Sequence, residues 1–103
     1  MATLYVAEYA TGGFAQVGGA VVQTSHEPPL AEQTVAIGGS SAQSSAFNAQ
    51  TTLIRLHCDA ICSVLFGTNP TAAAINQRYA ANQTEYKTVP RGQSYKVAVI
   101  QNT

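Results

Sequence analysis

Alternation of apolar and polar residues at every second position is the main structural signal along this chain. It is clearest over residues 51–58 and 62–67, where two alternating runs flank the tripeptide Asp59-Ala60-Ile61. A period of two is typical of a half-buried β-strand, and in the first run it predicts that Arg55 and His57 lie together on the outward face. Two such runs joined by a short loop predict a hairpin, in which Cys58 and Cys62 form a close cross-strand pair on one face.

A second pair of alternating segments lies near the C-terminal end of the sequence. Residues 84–89 and 94–100 are separated by a segment that contains Pro90 and Gly92. Proline presets a turn and glycine supplies a positive φ, so these residues predict a second hairpin.

Shorter segments complete an all-β pattern. Strands are predicted at 33–37 and 44–48. Residues 71–81 have good helix propensity but no apolar helical face, so they are predicted to form a loop that leads into an extended stretch, with a short helix as the alternative. Several short strands with turns between them favour a small β-sandwich or jelly-roll-like domain over residues 33–103.

The first 32 residues differ in character from the rest. Two glycine pairs and Pro28-Pro29 disfavour regular structure, although apolar residues are frequent between them. The prediction is an extended N-terminal arm over residues 1–32, with a strand at 3–8. The alternative is an arm that folds back along its own sandwich.

Charge changes this picture, because only 10% of the residues are charged and the formal net charge is zero. Ordinary soluble domains have roughly 25% charged residues. Such a surface lacks the basic patch that nucleic-acid binding requires and the repulsion that keeps monomers apart. It fits equally a β protein with a surface of uncharged polar residues and one largely covered by neighbouring subunits.

Candidate chemistry is sparse. The two histidines, His26 and His57, lie in different contexts, and Cys58 with Cys62 does not complete a zinc site. No acid–base pair stands out among the carboxylates, so no enzyme, metal or cofactor is predicted. The sequence shows no signal peptide and no stretch of about 20 apolar residues, which predicts no membrane partner.

Five segments of the C-terminal two-thirds share a pattern with a known class of proteins. They are AEQTVAI at 31–37, LIRLHCDA at 53–60, VLFGTNPTA at 64–72, NQTEYKTVPRG at 82–92 and KVAVI at 96–100. On these segments, residues 31–101 resemble small virion structural proteins of tailed bacteriophages, of the head decoration or cement type. The resemblance implies a β-sandwich or jelly-roll module that binds across capsid-subunit boundaries and performs no catalysis.

The resulting hypothesis is a capsid decoration protein that stabilises the head shell by binding the major capsid protein. It implies a homo-oligomer, a dimer or trimer, on the virion surface after synthesis in the bacterial cytoplasm. The alternatives are a head–tail connector or tail component, or a glycan-binding module with an aromatic platform from Tyr79, Tyr86 or Tyr95. The predicted subunit contacts are Phe14, Val17, Leu30, Asn69, Pro70, Pro90 and Gly92.

Overall fold

The computed structural model describes residues 2–10, 12–17, 20–25 and 27–102, with side chains for 2–10 and 27–102. All regular structure within these residues is β. The strands are β1 (Ala2–Tyr9), β2 (Gly12–Val17), β3 (Ala20–Ser25), β4 (Ala31–Ile37), β5 (Ala42–Gln43), β6 (Leu53–Cys58), β7 (Cys62–Gly67), β8 (Gln77–Tyr79), β9 (Thr84–Thr88) and β10 (Lys96–Gln101).

Two four-stranded antiparallel sheets form the body of the protein. The first has the order β4-β1-β6-β9 and the second β5-β10-β7-β8. Their inward faces supply one apolar core, in which Leu4, Leu56 and Val97 are fully buried. The predicted all-β sandwich is therefore confirmed.

The N-terminal strand β1 is a central strand of the first sheet. Residues 2–9 pair with β4 on one side and with β6 on the other, and Leu4 and Val6 belong to the core. The predicted strand at 3–8 is confirmed. Residues 2–9 and 31–32 do not belong to an extended arm, because they are strands of the sandwich. The glycine pairs lie after β1, so their backbone freedom does not oppose its pairing, and burial of two apolar side chains favours it.

The rest of the predicted arm contains a separate two-stranded sheet. β2 and β3 pair antiparallel with one another, with Gly12 opposite Ser25 and Val17 opposite Ala20. Neither strand belongs to the sheets of the sandwich. The radius of gyration is 14.3 Å and the longest dimension is 48 Å. A compact chain of this length has a radius of about 13 Å, so the molecule is elongated.

The hairpin predicted over residues 51–67 is wrong, although both of its strands exist. β6 pairs with β1 and β9, whereas β7 pairs with β10 and β8. Residues 59–61 therefore cross from one sheet to the other, and Cys58 and Cys62 both point into the core. Alternation fixes which side chains face inward, and that face is the same in a hairpin and in a crossing between sheets.

The second predicted hairpin is wrong for the same reason. β9 joins the first sheet and β10 the second, so residues 89–95 also cross the sandwich. This crossing contains two left-handed residues, Gly92 with φ 74° and Ser94 with φ 55°. Glycine adopts that conformation without steric cost, which explains its position here.

Two smaller predictions have different outcomes. Residues 71–76 form a loop that leads into β8, and no helix is present among the described residues. The strand predicted at 44–48 is replaced by the two-residue β5 and an irregular segment that still bonds to β10: the backbone N–H groups of Ser44 and Phe47 donate to carbonyls of that strand region. The Ser44 hydroxyl accepts from the N–H of Val97 at 3.0 Å and so interrupts the ladder.

Candidate functional site

The outer face of the first sheet carries an open groove of about 520 Å³. The small side chain of Ala7 lies between Glu32 on β4 and Arg55 on β6 in the strand register. One register step away, Tyr5 lies between Thr34 and His57. Large polar side chains around a small central residue leave the groove open. Its lining includes Tyr5, Ala7, Glu32, Thr34, Arg55 and His57.

The imidazole of His57 is held by two neighbours. Its Nδ1 lies 2.8 Å from the hydroxyl oxygen of Thr84 on β9. Its ring centroid lies 6.3 Å from that of Tyr5, with the two planes tilted by 47°. Both contacts restrict the ring orientation, so His57 presents a fixed edge to the groove. The residues singled out by alternation as outward-facing, Arg55 and His57, are thus brought together with Tyr5.

This arrangement offers binding chemistry of mixed character. Glu32 accepts hydrogen bonds, Arg55 donates them, and Tyr5, which is 46% exposed, provides an aromatic surface. Within the described residues, no group of three or more His, Cys, Asp or Glu side chains converges to hold a metal ion. The groove thus presents polar and aromatic groups side by side.

The aromatic platform predicted from three tyrosines is only partly available. Tyr79 is 4% exposed and belongs to the core, so it cannot contact a ligand. Tyr95 packs against the same core. Tyr86 is 54% exposed on β9, where it lies opposite Arg55 in the strand register.

The predicted contact residues gather at one end of the sandwich. At this end β1, β7 and β9 finish and β4, β6 and β10 begin, as the registers of the two sheets require. We call it the hairpin end, because the β2–β3 hairpin lies between β1 and β4. Leu30, 42% exposed, lies here beside Ala10 and Pro28.

The loops of the second sheet reach the same end. Gln43 donates from its side-chain amide to Asn69 at 2.9 Å and to the carbonyl of Pro70 at 2.7 Å. Pro70 is buried, so only Asn69 of this pair is available for contact. Pro90 and Gly92 are both exposed in the crossing between β9 and β10. Phe14 and Val17 lie in β2, and their side chains fall outside the described part.

A buried carboxylate organises the hairpin end, and sequence reasoning missed it. Glu8 is 1% exposed on the inward face of β1. Its Oε1 accepts from the Asn48 backbone N–H at 2.7 Å and from the Thr51 hydroxyl at 2.9 Å, while Oε2 accepts from the Gln33 amide at 3.3 Å. Gln33 in turn accepts from the N–H of Ser45 at 2.8 Å. The sequence did contain an indication of its burial. Glu8 follows Leu4 and Val6 at a spacing of two, which places its side chain on the same inward face of β1.

The opposite end of the sandwich contains the two cysteines. Both are fully buried and unpaired, and the Cys58 thiol donates to the carbonyl of Ala80 at 3.1 Å. Burial and the neighbouring Cys58 raise the pKa of the Cys62 thiol to about 12. A fully buried thiol is a poor nucleophile and a poor metal ligand, so the pair acts as core packing.

Alkaline pH is expected to destabilise the protein through this end. Burial, followed by the negative charges of Glu85 and the cysteines, raises the pKa of Tyr79 from 10.0 to about 12, and that of Cys62 rises from 9.0 to about 12. The folded state therefore holds these protons more tightly than the unfolded chain. The free energy of unfolding should therefore fall by up to about 1.4 kcal/mol per pH unit for each group, between pH 9 and 12 for Cys62 and between pH 10 and 12 for Tyr79.

Urea unfolding at a series of pH values measures this slope. A Cys62→Ala variant should flatten it from pH 9 upward, and a Tyr79→Phe variant from pH 10 upward. Because each substitution also changes packing, the slope rather than the absolute stability is the readout. If the wild type and both variants gave identical slopes, Cys62 and Tyr79 would not be the groups responsible for the loss of stability.

No family model, curated protein or solved structure matches the chain. The described residues also contain no helix long and apolar enough to cross a bilayer.

Proposed function

We propose that the chain is a structural protein of a tailed-bacteriophage virion, of the head decoration type, which binds across subunits of the major capsid protein. The zero net charge and the 10% charged residues support it, because such a surface has little electrostatic barrier to dense packing against neighbours. The five segments within residues 31–101 that resemble such proteins support it as well.

The strand order supports a jelly-roll reading of the sandwich. In a jelly roll, one sheet has the order first, eighth, third, sixth, and the other has second, seventh, fourth, fifth. Let β4 be the first strand, β5 to β10 the second to seventh, and β1 the eighth. The observed orders β4-β1-β6-β9 and β5-β10-β7-β8 then match the two sheets of a jelly roll. The closing strand then precedes the others in the chain. Jelly rolls are frequent among viral capsid and lectin domains.

One observation carries the proposal: the hairpin and the exposed loops share one end of the sandwich. The β2–β3 hairpin occupies the connection between β1 and β4, outside both sheets. Asn69, Pro90 and Gly92 are exposed at that same end. A two-stranded extension beside several loops can reach more than one neighbouring subunit, and repeated weak contacts on a lattice add through effective concentration.

Copy number in purified virions tests the proposal. Quantitative mass spectrometry against the major capsid protein should give a ratio near one or a simple fraction of it, because a decoration protein follows the lattice. A handful of copies per particle would assign the chain to the connector or tail. Absence from the particle would refute a virion role.

Excision of the hairpin tests its part in binding. In this variant Gly12–Ser25 is replaced by two glycines, and we expect a loss of capsid binding of at least tenfold with the sandwich still folded. A matched control, Leu65→Ala, removes an exposed apolar side chain from β7 of the second sheet and leaves the hairpin intact. Co-sedimentation with capsids measures binding. Unchanged binding of the excised protein would remove the hairpin from the proposal.

The outer-face groove favours a second candidate function, a glycan-binding module on the virion surface. Sugars are bound by stacking on aromatic rings and by planar charged groups, and Tyr5, Arg55 and Glu32 provide both within one groove. A glycan array should then show binding that Tyr5→Ala and Arg55→Ala abolish and that Arg78→Ala, on β8 of the other sheet, leaves intact. Silence across the array would exclude this candidate.

A further inference from the structure

β9 is an open edge of the first sheet. It pairs with β6 alone among the described strands, and its residues alternate between exposed and half-buried along its five-residue length. An exposed sheet edge presents unpaired backbone groups that can template another strand. The crossing loops at both ends of β9 leave this edge uncovered by any other described strand.

The hydrogen bonds at the two ends of β9 show which backbone groups face outward. The N–H of Val89 donates to the carbonyl of Thr52 at 2.9 Å, and the carbonyl of Gln83 accepts from Cys58 at 3.2 Å. Hydrogen-bonded positions alternate along an antiparallel strand. Odd-numbered residues therefore bond to β6, and the N–H and C=O groups of the even-numbered residues point away from the sheet. The outward residues are Thr84, Tyr86 and Thr88.

The sequence of this edge is complementary to itself when reversed. β9 reads Thr-Glu-Tyr-Lys-Thr. If two copies pair antiparallel about Tyr86, Glu85 of one lies opposite Lys87 of the other, and Thr84 lies opposite Thr88. In this register the outward N–H and C=O groups of Thr84, Tyr86 and Thr88 face those of Thr88, Tyr86 and Thr84 of the second copy. About six backbone hydrogen bonds can therefore form.

We propose that the β9 edge is a homodimer interface, in which β9 pairs with β9 of a second copy about a two-fold axis at Tyr86. The two first sheets then join into one continuous eight-stranded sheet. Each copy contributes Glu85 and Lys87, so the interface has two symmetric ion pairs, as an isologous contact requires. This proposal is independent of the virion function, since it concerns the purified chain.

Charge selects this register over its neighbours. Registers that preserve the hydrogen-bond pattern differ by two residues. A shift in one direction places Glu85 opposite Glu85, and a shift in the other places Lys87 opposite Lys87. Like charges directly opposite each other destabilise a strand pair. Only pairing about Tyr86 brings opposite charges together at both positions.

The side chains of the edge are free to make these contacts. The ammonium group of Lys87 has no hydrogen bond or ion pair within the part of the chain that the structure describes. Glu85 uses Oε2 to accept from the Gln83 amide at 2.9 Å, which leaves Oε1 for a lysine of the second copy. Tyr86 is 54% exposed, and in the dimer the two rings lie side by side on the outer face.

Charge reversal and its compensation test the interface. Analytical ultracentrifugation of the purified chain should show a dimer with a dissociation constant on the order of 10 µM, since a short strand pair buries less area than a standard interface. Lys87→Glu and Glu85→Lys should each weaken it about tenfold or more, because both symmetric pairs become repulsive. The double exchange, Glu85→Lys with Lys87→Glu, restores both pairs and should restore the dimer. Glu32→Lys, exposed on β4 at the opposite edge of the first sheet, should have no effect.

Cross-linking tests the register. Directly hydrogen-bonded residues of an antiparallel pair have Cα atoms about 5.5 Å apart, within disulfide range. Tyr86→Cys should therefore give a covalent dimer under mild oxidation with oxidised glutathione. Glu85→Cys should not, because position 85 lies opposite position 87. The wild-type chain is the control for Cys58 and Cys62, which are buried.

The outcomes separate cleanly. Dimerisation that charge reversal weakens and the double exchange restores supports the β9 interface, as does cross-linking at position 86. A chain that stays monomeric up to about 1 mM overturns it, because its dimerisation free energy would then be at most about 4 kcal/mol. A dimer unaffected by charge reversal uses another surface and overturns it equally. None of these results bears on the presence of the chain in virions.

Discussion

Removal of residues 1–30 is expected to leave the chain without a cooperative fold. The truncation deletes β1, which lies between β4 and β6 and pairs with both. Without β1 these two strands are separated by about two strand spacings, close to 10 Å, and cannot pair unless the sheet rearranges. The core also loses Leu4 and Val6, which are 0% and 2% exposed.

Hairpin excision is the matched control for this truncation. Glu8 and Ala31 are register partners, and the N–H of Leu30 donates to the carbonyl of Glu8 at 2.7 Å. The two ends of the excised Gly12–Ser25 segment are thus already held near each other by the sheet. Chemical denaturation, followed by circular dichroism, should show a sharp transition for the excised protein and none for the truncated one. A sharp transition in the truncated protein would contradict the position of β1.

Loss of the Glu8 carboxylate is expected to be the most damaging single substitution at the hairpin end. In Glu8→Ala, the hydroxyl of Thr51 loses its acceptor in a buried site, and the backbone N–H of Asn48 loses the same acceptor in a part-buried one. Each buried polar group left unsatisfied costs about 1–3 kcal/mol, so the free energy of unfolding should fall by about 3 kcal/mol. That is a large fraction of the 5–15 kcal/mol typical of a domain.

Two variants make the Glu8 result specific. Glu8→Gln keeps one acceptor oxygen but turns an amide donor towards Gln33, so its effect should be intermediate. Glu32→Ala, exposed on the outer face of β4, should change stability by less than about 0.5 kcal/mol. Urea unfolding of all three proteins measures the order. Equal stabilities for Glu8→Ala and Glu32→Ala would show that the hydrogen bonds of Glu8 to residues 33, 48 and 51 do not stabilise the fold.

The outer-face groove could be predicted only in part from the sequence. Alternation placed Arg55 and His57 together on the outward face of one strand, and the structure keeps them there. Tyr5 and Glu32 lie on other strands, far away in sequence, so only the pairing of β1 with β4 and β6 brings them into the groove. Glu8 was likewise unreadable, because its three partners come from residues 33, 48 and 51.

The sequence by itself determined the all-β class, most of the strands and which side chains face inward. These properties depend on local alternation, since a period of two and β-branched residues act within one strand. The tertiary structure alone decided the partners of each strand. β6 and β7 have the same inward faces whether they pair or cross between sheets, and the choice depends on β1 and β10, which supply partners from the two ends of the chain. Pairing is a competition among distant segments for one shared core, and a local pattern does not record its outcome.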